Sequence, residues 1–165
     1  MFRRRDRNNS HGSDQPAGGQ AAAIEARAAL LSRVPLFVDL GKRDIQTLAA
    51  VSVERHANIG EFLVQQGQAG AGLFVIASGS VVLTQQAESG DARLLATLGP
   101  GDVFGEMALL DDLPRSASAL ASEPTDVLLI PVYDFRTVLH DDADIAIRLL
   151  AVLSRRLRRI EAHQM

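Results

Sequence analysis

The sequence predicts a mainly β domain flanked by helices, and three observations support this prediction. Short apolar runs separated by Gly and Asp fill residues 53–131, a pattern typical of a β-sandwich or barrel. Helix-forming stretches precede and follow this region, at residues 21–33 and 143–163. The length of 165 residues and the hydrophobic content of 47% suffice for one domain with a buried core, which is aliphatic because only 4% of the residues are aromatic.

Residues 1–20 are predicted to form a disordered basic tail. The segment holds few large apolar residues and many Gly, Asn and Ser, and its Arg residues lie within Arg3–Arg7. No apolar stretch follows this basic start, so the sequence does not predict a signal peptide. No stretch of the sequence is suited to a membrane span. We therefore expect a cytoplasmic protein whose tail is a solvated end, with contact to an acidic partner or a lipid as the alternative.

Two short helices are predicted next. Residues 21–33 are strong helix formers with apolar side chains on one face, and Pro35 ends this helix. The apolar pair Leu36–Phe37 follows, and Asp44 is suited to cap a second short helix.

The central region contains several predicted strands. Alternation of Val81 and Leu83 with Val82 and Thr84 marks one of them, and Gly residues between the runs supply turns. The predicted runs include Glu61–Gln65, Leu73–Ala77, Ser80–Gln86, Arg93–Leu98, Ala117–Ala121 and Val127–Ile130.

After Pro131 the pattern returns to helix. Residues 132–139 form a turn-rich segment, and Asp141 or Asp142 is suited to cap a long helix over about residues 143–163. Several Arg residues near its end complement the helix dipole. Apolar residues at helical spacing form one predicted stripe, which consists of Ala146, Leu149, Leu150, Leu153, Leu157 and Ile160.

Charge and residue usage exclude several classes of function. The net charge of −3 argues against a polycation built for nucleic acid, and the absence of Cys excludes a disulfide scaffold and a thiolate zinc site. The four His residues lack metal-ligand spacing, and no catalytic Ser-His-Asp pattern is present, so we expect no metal, no cofactor and no enzyme activity. Residues 39–144 carry six Lys or Arg against sixteen Asp or Glu, so an anion bound there needs a specific local site.

Residues 101–118 contain such a site. Gly105 allows a sharp turn, and residues 106–110 can form one helical turn whose free backbone N–H groups suit an anion. Arg115 is the only cation within residues 94–135, and its guanidinium fork matches a phosphate.

Glu106 would be repelled by a bound anion unless it accepts hydrogen bonds from hydroxyl groups, such as those of a ribose. Together with the small residues Ser116 and Ala117, these features describe a site for a nucleoside monophosphate. Glu106 and Arg115 by themselves would indicate only a surface ion pair, which is common and weak.

The full string is more specific than its parts. Phe-Gly-Glu-Met-Ala-Leu at residues 104–109, followed by Pro-Arg-Ser-Ala at residues 114–117, closely resembles the phosphate-binding cassette of cyclic nucleotide-binding domains. The resemblance covers about residues 24–162. It implies an eight-stranded antiparallel jelly-roll β-barrel with N-terminal helices and a long C-terminal lid helix over residues 143–163, within a domain that spans residues 21–165.

The resemblance also implies roles for individual residues. Glu106 binds the ribose 2′-hydroxyl, Arg115 binds the cyclic phosphate, and Ser116 reaches the phosphate or the purine edge. Backbone N–H groups near Gly105, Glu106, Ala108 and Ala117 cradle the anion. The implied ligand-binding set is Gly105, Glu106, Met107, Ala108, Arg115, Ser116 and Ala117.

In this family the last helix covers the base, and Leu149, Leu150 and Leu153 are the lid candidates. Core packing or a dimer seam would explain the same three residues. Because the sequence ends directly after this helix, we expect no DNA-binding helix-turn-helix and no direct DNA binding.

The expected function is a stand-alone receptor for a cyclic purine nucleotide, cAMP in preference to cGMP. An effector protein or a second copy of the chain would read the movement of the last helix. The alternative is a non-enzymatic interaction module whose pocket is degenerate or holds another nucleotide.

Overall fold

Two four-stranded antiparallel sheets form the centre of the molecule. The computed structural model describes residues 17–162, apart from the side chains of residues 17, 156, 159 and 160. The strand order is β1-β8-β3-β6 in one sheet and β2-β7-β4-β5 in the other, which confirms the predicted jelly roll. The strands are β1 (Val53–Ala57), β2 (Phe62–Val64), β3 (Gly72–Ser78), β4 (Val81–Gln86), β5 (Ala92–Leu98), β6 (Val103–Phe104), β7 (Ser118–Ala121) and β8 (Thr125–Pro131).

Helices flank the two sheets on the side of β3 and β8. A short 3-10 turn over Pro35–Phe37 separates the first two helices. Among the described residues, no helix is both long enough and apolar enough to cross a membrane. The helices are α1 (Ala17–Leu31), α2 (Lys42–Val51), α3 (Met107–Leu110), α4 (Val132–Asp141) and α5 (Ala143–Ala162).

Strand β3 lies between two apolar clusters, which explains its unbroken apolar sequence. Phe74 and Ile76 pack between the sheets, together with inward side chains of β4 and β7. Leu73 and Val75 point to the opposite side and pack against the helices. Four of these residues in a row are therefore buried, as expected for a strand covered on both faces.

The structure differs from the sequence prediction at several elements. Helix α1 begins at Ala17, so residues 17–20 of the predicted tail are helical, while residues 1–16 lie outside the described residues. Gly18 and Gly19 each disfavour a helix by about 1 kcal/mol relative to Ala, which favoured a later start. The predicted turn-rich segment after Pro131 is the regular helix α4.

Two strands left no apolar run in the sequence. Strand β1 forms the edge of its sheet, and four of its five residues are exposed. Strand β6 has only two residues, which pair with Phe74 and Val75 of β3.

Helix α5 buries a different stripe from the predicted one. Ile145, Leu149 and Val152 are the buried residues, with Leu153 half-buried beside them. Leu150 and Leu157, both in the predicted stripe, are exposed by more than 60%. The prediction of a single apolar face was therefore wrong.

Polar contacts fix both ends of the α5 packing. Asp142 caps the helix, since its Oδ1 accepts the backbone N–H of Asp144 at 3.1 Å. Arg148 donates to Asp44 at 2.9 Å, and Arg155 forms an ion pair with Asp39. These ion pairs join α5 to the N-terminal helical region, so Arg155 contributes more than a favourable charge for the helix dipole.

Candidate functional site

A cavity of about 320 Å³ lies between α3, the loop that precedes β7, and side chains of β2, β4 and β5. All seven residues of the predicted ligand-binding set line it. The structure thus brings together two segments of the chain that the motif placed several residues apart. The complete lining is Val64, Leu83, Leu95, Val103, Phe104, Gly105, Glu106, Met107, Ala108, Asp111, Leu113, Pro114, Arg115, Ser116 and Ala117.

Arg115 is the buried cation of this cavity, with only 8% of its surface exposed. Its Nη1 donates to the carbonyl of Gly105 at 3.1 Å, and its Nη2 donates to the carbonyl of Gly72 at 2.8 Å. The guanidinium carbon lies 5.8 Å from the centre of the Phe74 ring, within the range of a cation–π contact. These contacts hold the guanidinium at the base of the cavity.

The charge of Arg115 is not neutralised by an ion pair. Within residues 17–162, no carboxylate lies at salt-bridge distance from it, and its buried Nε has no hydrogen-bond partner. Burial lowers the pKa of the Arg115 guanidinium, and the charge of Glu106 opposes this shift. A buried cation without a counter-charge is costly, so an anion in the cavity would stabilise this arrangement.

Gly105 makes the close approach of the guanidinium possible. Its φ of +77° lies in the left-handed region, and a Cβ there would overlap Nη1 of Arg115 and lie 2.9 Å from the carbonyl oxygen of Gly72. The tight turn between β6 and α3 therefore depends on glycine, as the sequence predicted.

Glu106 directly precedes α3 and is half-buried at the cavity. Among the described residues, the backbone N–H groups of Gly105, Glu106 and Ala117 have no protein acceptor. The N–H of Ala108 donates to the carbonyl of Gly105 at 3.2 Å. Of the four amide donors expected to cradle an anion, three are therefore free and the fourth already has a partner.

The backbone of Arg115 is fixed from behind by the loop between β2 and β3. Its N–H donates to the carbonyl of Gln68 at 2.8 Å, and its own carbonyl accepts the N–H of Gly67 at 2.8 Å. Close packing extends along this loop, since a Cβ at Gly70 would overlap the side chain of Ala108. The loop thus supports both segments of the candidate site.

The lid candidates do not line the cavity in this structure. Leu149 is buried in the cluster beneath the helices, Leu153 packs against that cluster, and Leu150 is exposed. Leu109 of α3 belongs to the same buried cluster as Leu149. The cassette and α5 are therefore connected through the core, and coverage of a bound ligand by these three residues stays a prediction.

The apolar wall of the cavity was not predicted from the sequence. Val64, Leu83 and Leu95 come from three strands of one sheet, and Leu113 lies on the loop before Arg115. Alternation along β4 indicated that Leu83 points to one face of its sheet. No comparable sequence pattern marked Leu95 or Leu113. Both side chains are exposed in the structure, Leu113 more than Leu95.

His56 has a structural partner. Its Nδ1 lies 2.7 Å from Oδ1 of Asp126, whose other oxygen accepts a hydrogen bond from Ser78. The hydrogen bond between His56 and Asp126 raises the pKa of His56 and lowers that of Asp126. In the part of the chain that the structure describes, no group of three or more His, Asp and Glu side chains could hold a metal ion.

Comparisons with known proteins identify the family of this chain. The family model described as "Cyclic nucleotide-binding domain" matches residues 54–142. A cyclic AMP receptor protein of Thermus thermophilus is 39% identical over 124 residues, which are 75% of this chain and 57% of that protein. The regulatory subunit of a cAMP-dependent protein kinase from Yarrowia lipolytica is 35% identical over 109 residues, or 66% of this chain and 28% of that protein.

A solved structure shows the same fold. The N-terminal domain of a transcriptional regulator from Streptomyces coelicolor A3(2) superimposes with a TM-score of 0.74 at 31% sequence identity, covering 79% of this chain and 94% of that one. The match to the two sequence relatives is partial, since the chain spans little more than half of one and less than a third of the other. The family model, the sequence relatives and the fold together show that this chain belongs to the cyclic nucleotide-binding domain family.

Proposed function

We propose that this protein is a receptor that binds a cyclic purine nucleotide in the cavity beside α3. The observation that carries this proposal is Arg115, a buried guanidinium without a carboxylate partner among the described residues. A phosphate would supply the missing negative charge, and the free N–H groups of Gly105 and Glu106 would donate to its oxygens. The two sequence relatives described above are named as a receptor protein and a regulatory subunit, which favours binding over catalysis.

The cavity is lined by both polar and apolar side chains, which supports a nucleotide. Arg115 and Glu106 supply the chemistry for a phosphate and a ribose. Val64, Leu83 and Leu95 supply aliphatic side chains, against which a flat base could pack. Its volume of about 320 Å³ lies in the range of small-molecule sites.

We favour cAMP over cGMP. In the family, Ala often follows the phosphate-binding Arg in proteins that bind cAMP, and Thr often follows it in proteins that favour cGMP. Ser116 lies between these two cases, and its backbone carbonyl accepts a hydrogen bond from Gln85 at 3.0 Å. The aliphatic wall offers no hydrogen bonds that would select a guanine.

Signalling is proposed to pass through α5 to an effector protein or a second copy of the chain. Ile147, Leu150 and Leu157 are each exposed by more than 60% and are spaced three and seven residues apart. This spacing is typical of a helix that packs against another helix. Ligand shifts the helix only if it binds one helix position better than the other.

Replacing Glu106 with Gln should weaken cAMP binding by about 1.5–3 kcal/mol, the range for a hydrogen bond to a charged group. Gln keeps the size of the side chain but removes the charged acceptor for the ribose 2′-hydroxyl. A 2′-deoxy analogue lacks that hydroxyl, so the Glu106→Gln substitution should barely change the affinity for this analogue. Calorimetric titration of both ligands measures the difference.

Asp111→Asn is the matched control, since Asp111 also lines the cavity and its Oδ1 accepts the N–H of Leu113. An Asn oxygen can keep that hydrogen bond while the charge is lost. Equal losses for cAMP and its 2′-deoxy analogue in Glu106→Gln would assign Glu106 a structural role instead.

Hydrogen exchange on the free and cAMP-bound protein tests the role of α5. Protection should rise in residues 104–117, which form the cassette, and also in residues 145–157 of α5. The two segments meet in the buried cluster that contains Leu109 and Leu149, so a shift of the cassette can reach the helix. Protection confined to the cassette would make α5 a passive support and would contradict this mechanism.

A thermal-shift comparison of cAMP, cGMP and AMP distinguishes the proposal from its alternative. A cyclic-nucleotide receptor should be stabilised by cAMP or cGMP and much less by AMP, since ligand binding to the folded state raises its stability. A non-enzymatic interaction module with a degenerate pocket would show no shift with any of the three, and a pocket for another nucleotide would respond best to AMP.

A further inference from the structure

Side-chain amides continue the pairing between β4 and β7 beyond its last backbone pair. The backbone pairing of these strands ends at Thr84 and Ser118. Past that point, Nε2 of Gln85 donates to the backbone carbonyl of Ser116 at 3.0 Å. The chain before β7 is therefore still attached to the end of β4 where it turns away toward the cavity.

Gln66 makes a second connection at the same end of the sheet. Its carboxamide pairs with both backbone groups of Gln86: its Oε1 accepts the N–H at 2.7 Å, and its Nε2 donates to the carbonyl at 3.0 Å. The backbone N–H of Gln66 donates to Oγ of Ser118 at 2.9 Å. Gln66, which follows β2, is thus joined to β4 through its side chain and to β7 through its backbone N–H.

The tethered residues directly flank the candidate phosphate site. Arg115, Ser116 and Ala117 line the cavity, and the side chain of Gln85 holds the carbonyl of the middle residue. The N–H of Ala117 has no protein acceptor among the described residues, so its direction depends on how the segment is held. Fixing donors before the ligand arrives removes part of the ordering cost of binding.

We propose that Gln85 and Gln66 are positioning residues for the nucleotide phosphate, acting through the Arg115–Ala117 segment. This inference rests on the proposed function. Neither glutamine lines the cavity, and neither is needed for the buried core, because Gln66 is exposed and Gln85 half-buried. Their contribution is to the direction of the donors in the binding segment.

Gln85→Met tests the proposal, because Met keeps the length of the side chain and removes the amide donor. We expect the affinity for cAMP to fall about three- to tenfold, the scale of one hydrogen bond, while the melting temperature of the free protein stays close to that of the parent. Gln66→Met should act in the same direction. Gln46→Met is the matched control, since Gln46 is half-buried on α2, donates to Glu25 and does not line the cavity.

A double-mutant cycle with Arg115→Lys separates positioning from a general structural role. If Gln85 acts through the binding segment, its substitution should cost much less affinity in the Arg115→Lys background than in the parent. Full additivity, or a loss of affinity that Gln46→Met reproduces, would overturn the inference.

Failure of the proposed function and failure of the inference about Gln85 and Gln66 give different results. A parent protein that binds neither cAMP nor cGMP would overturn the proposed function and this inference with it. A parent that binds cAMP, with Gln85→Met and Gln66→Met binding equally well, would overturn this inference alone.

Discussion

Replacing Arg115 with Ala is expected to weaken cyclic-nucleotide binding by about 2–4 kcal/mol, the scale of a lost charge-assisted bidentate pair that leaves a phosphate unpaired. The structure explains why no other side chain can substitute: among the described residues, Arg115 is the only cation that lines the cavity. Calorimetric titration with cAMP measures the loss directly.

The Arg115→Ala variant also loses structural hydrogen bonds, so its fold needs a separate check. The carbonyls of Gly72 and Gly105 each lose the hydrogen bond from Arg115, and a lower melting temperature of the free protein is expected. Two variants serve as controls. Arg115→Lys keeps the charge without the guanidinium fork, and Arg93→Ala removes an exposed Arg of β5 that does not line the cavity. Parent-like cAMP affinity in a folded Arg115→Ala variant would show that the phosphate does not contact this residue.

Gly105→Ala is expected to lower the free energy of unfolding by about 2–4 kcal/mol, from backbone strain at positive φ together with overpacking. The added methyl group would overlap the guanidinium of Arg115 and crowd the carbonyl of Gly72. Because the guanidinium must move away, affinity for cAMP should fall as well. Chemical denaturation of the free protein and titration with cAMP measure the two effects.

Gly90 supplies the control for this substitution. Its φ of +87° is similar, but a Cβ there would meet no atom within 4 Å. Gly90→Ala should therefore cost only the backbone strain, about 1–2 kcal/mol, and leave cAMP affinity unchanged. If Gly105→Ala costs no more than Gly90→Ala, the packing between Gly105 and Arg115 does not constrain the site.

The sequence was informative wherever a pattern is local. Strand β3 is an unbroken apolar run, and the turn at Gly105 follows from one residue type, so both were predictable. Strand β1 has four exposed residues and strand β6 only two residues in all, so neither left an apolar pattern. Their pairing depends on distant partners that the sequence does not display.

The same distinction applies to the candidate site. The residues of the cassette lie close together in the sequence and resemble a known motif, so they could be named in advance. Val64, Leu83 and Leu95 reach the cavity only because strands from three parts of the chain lie side by side. Helix α5 has apolar residues on two faces, and only its packing shows that Ile145 is buried while Leu150 is exposed.

Calorimetric titration of the purified protein with cAMP and cGMP tests directly whether the cavity is a cyclic-nucleotide site. We expect saturable binding of a cyclic purine nucleotide with a micromolar or tighter dissociation constant and one nucleotide per chain, and AMP should bind far more weakly. Absence of binding by both cyclic nucleotides, or equal binding of AMP, would contradict the assignment of the cavity as a cyclic-nucleotide site.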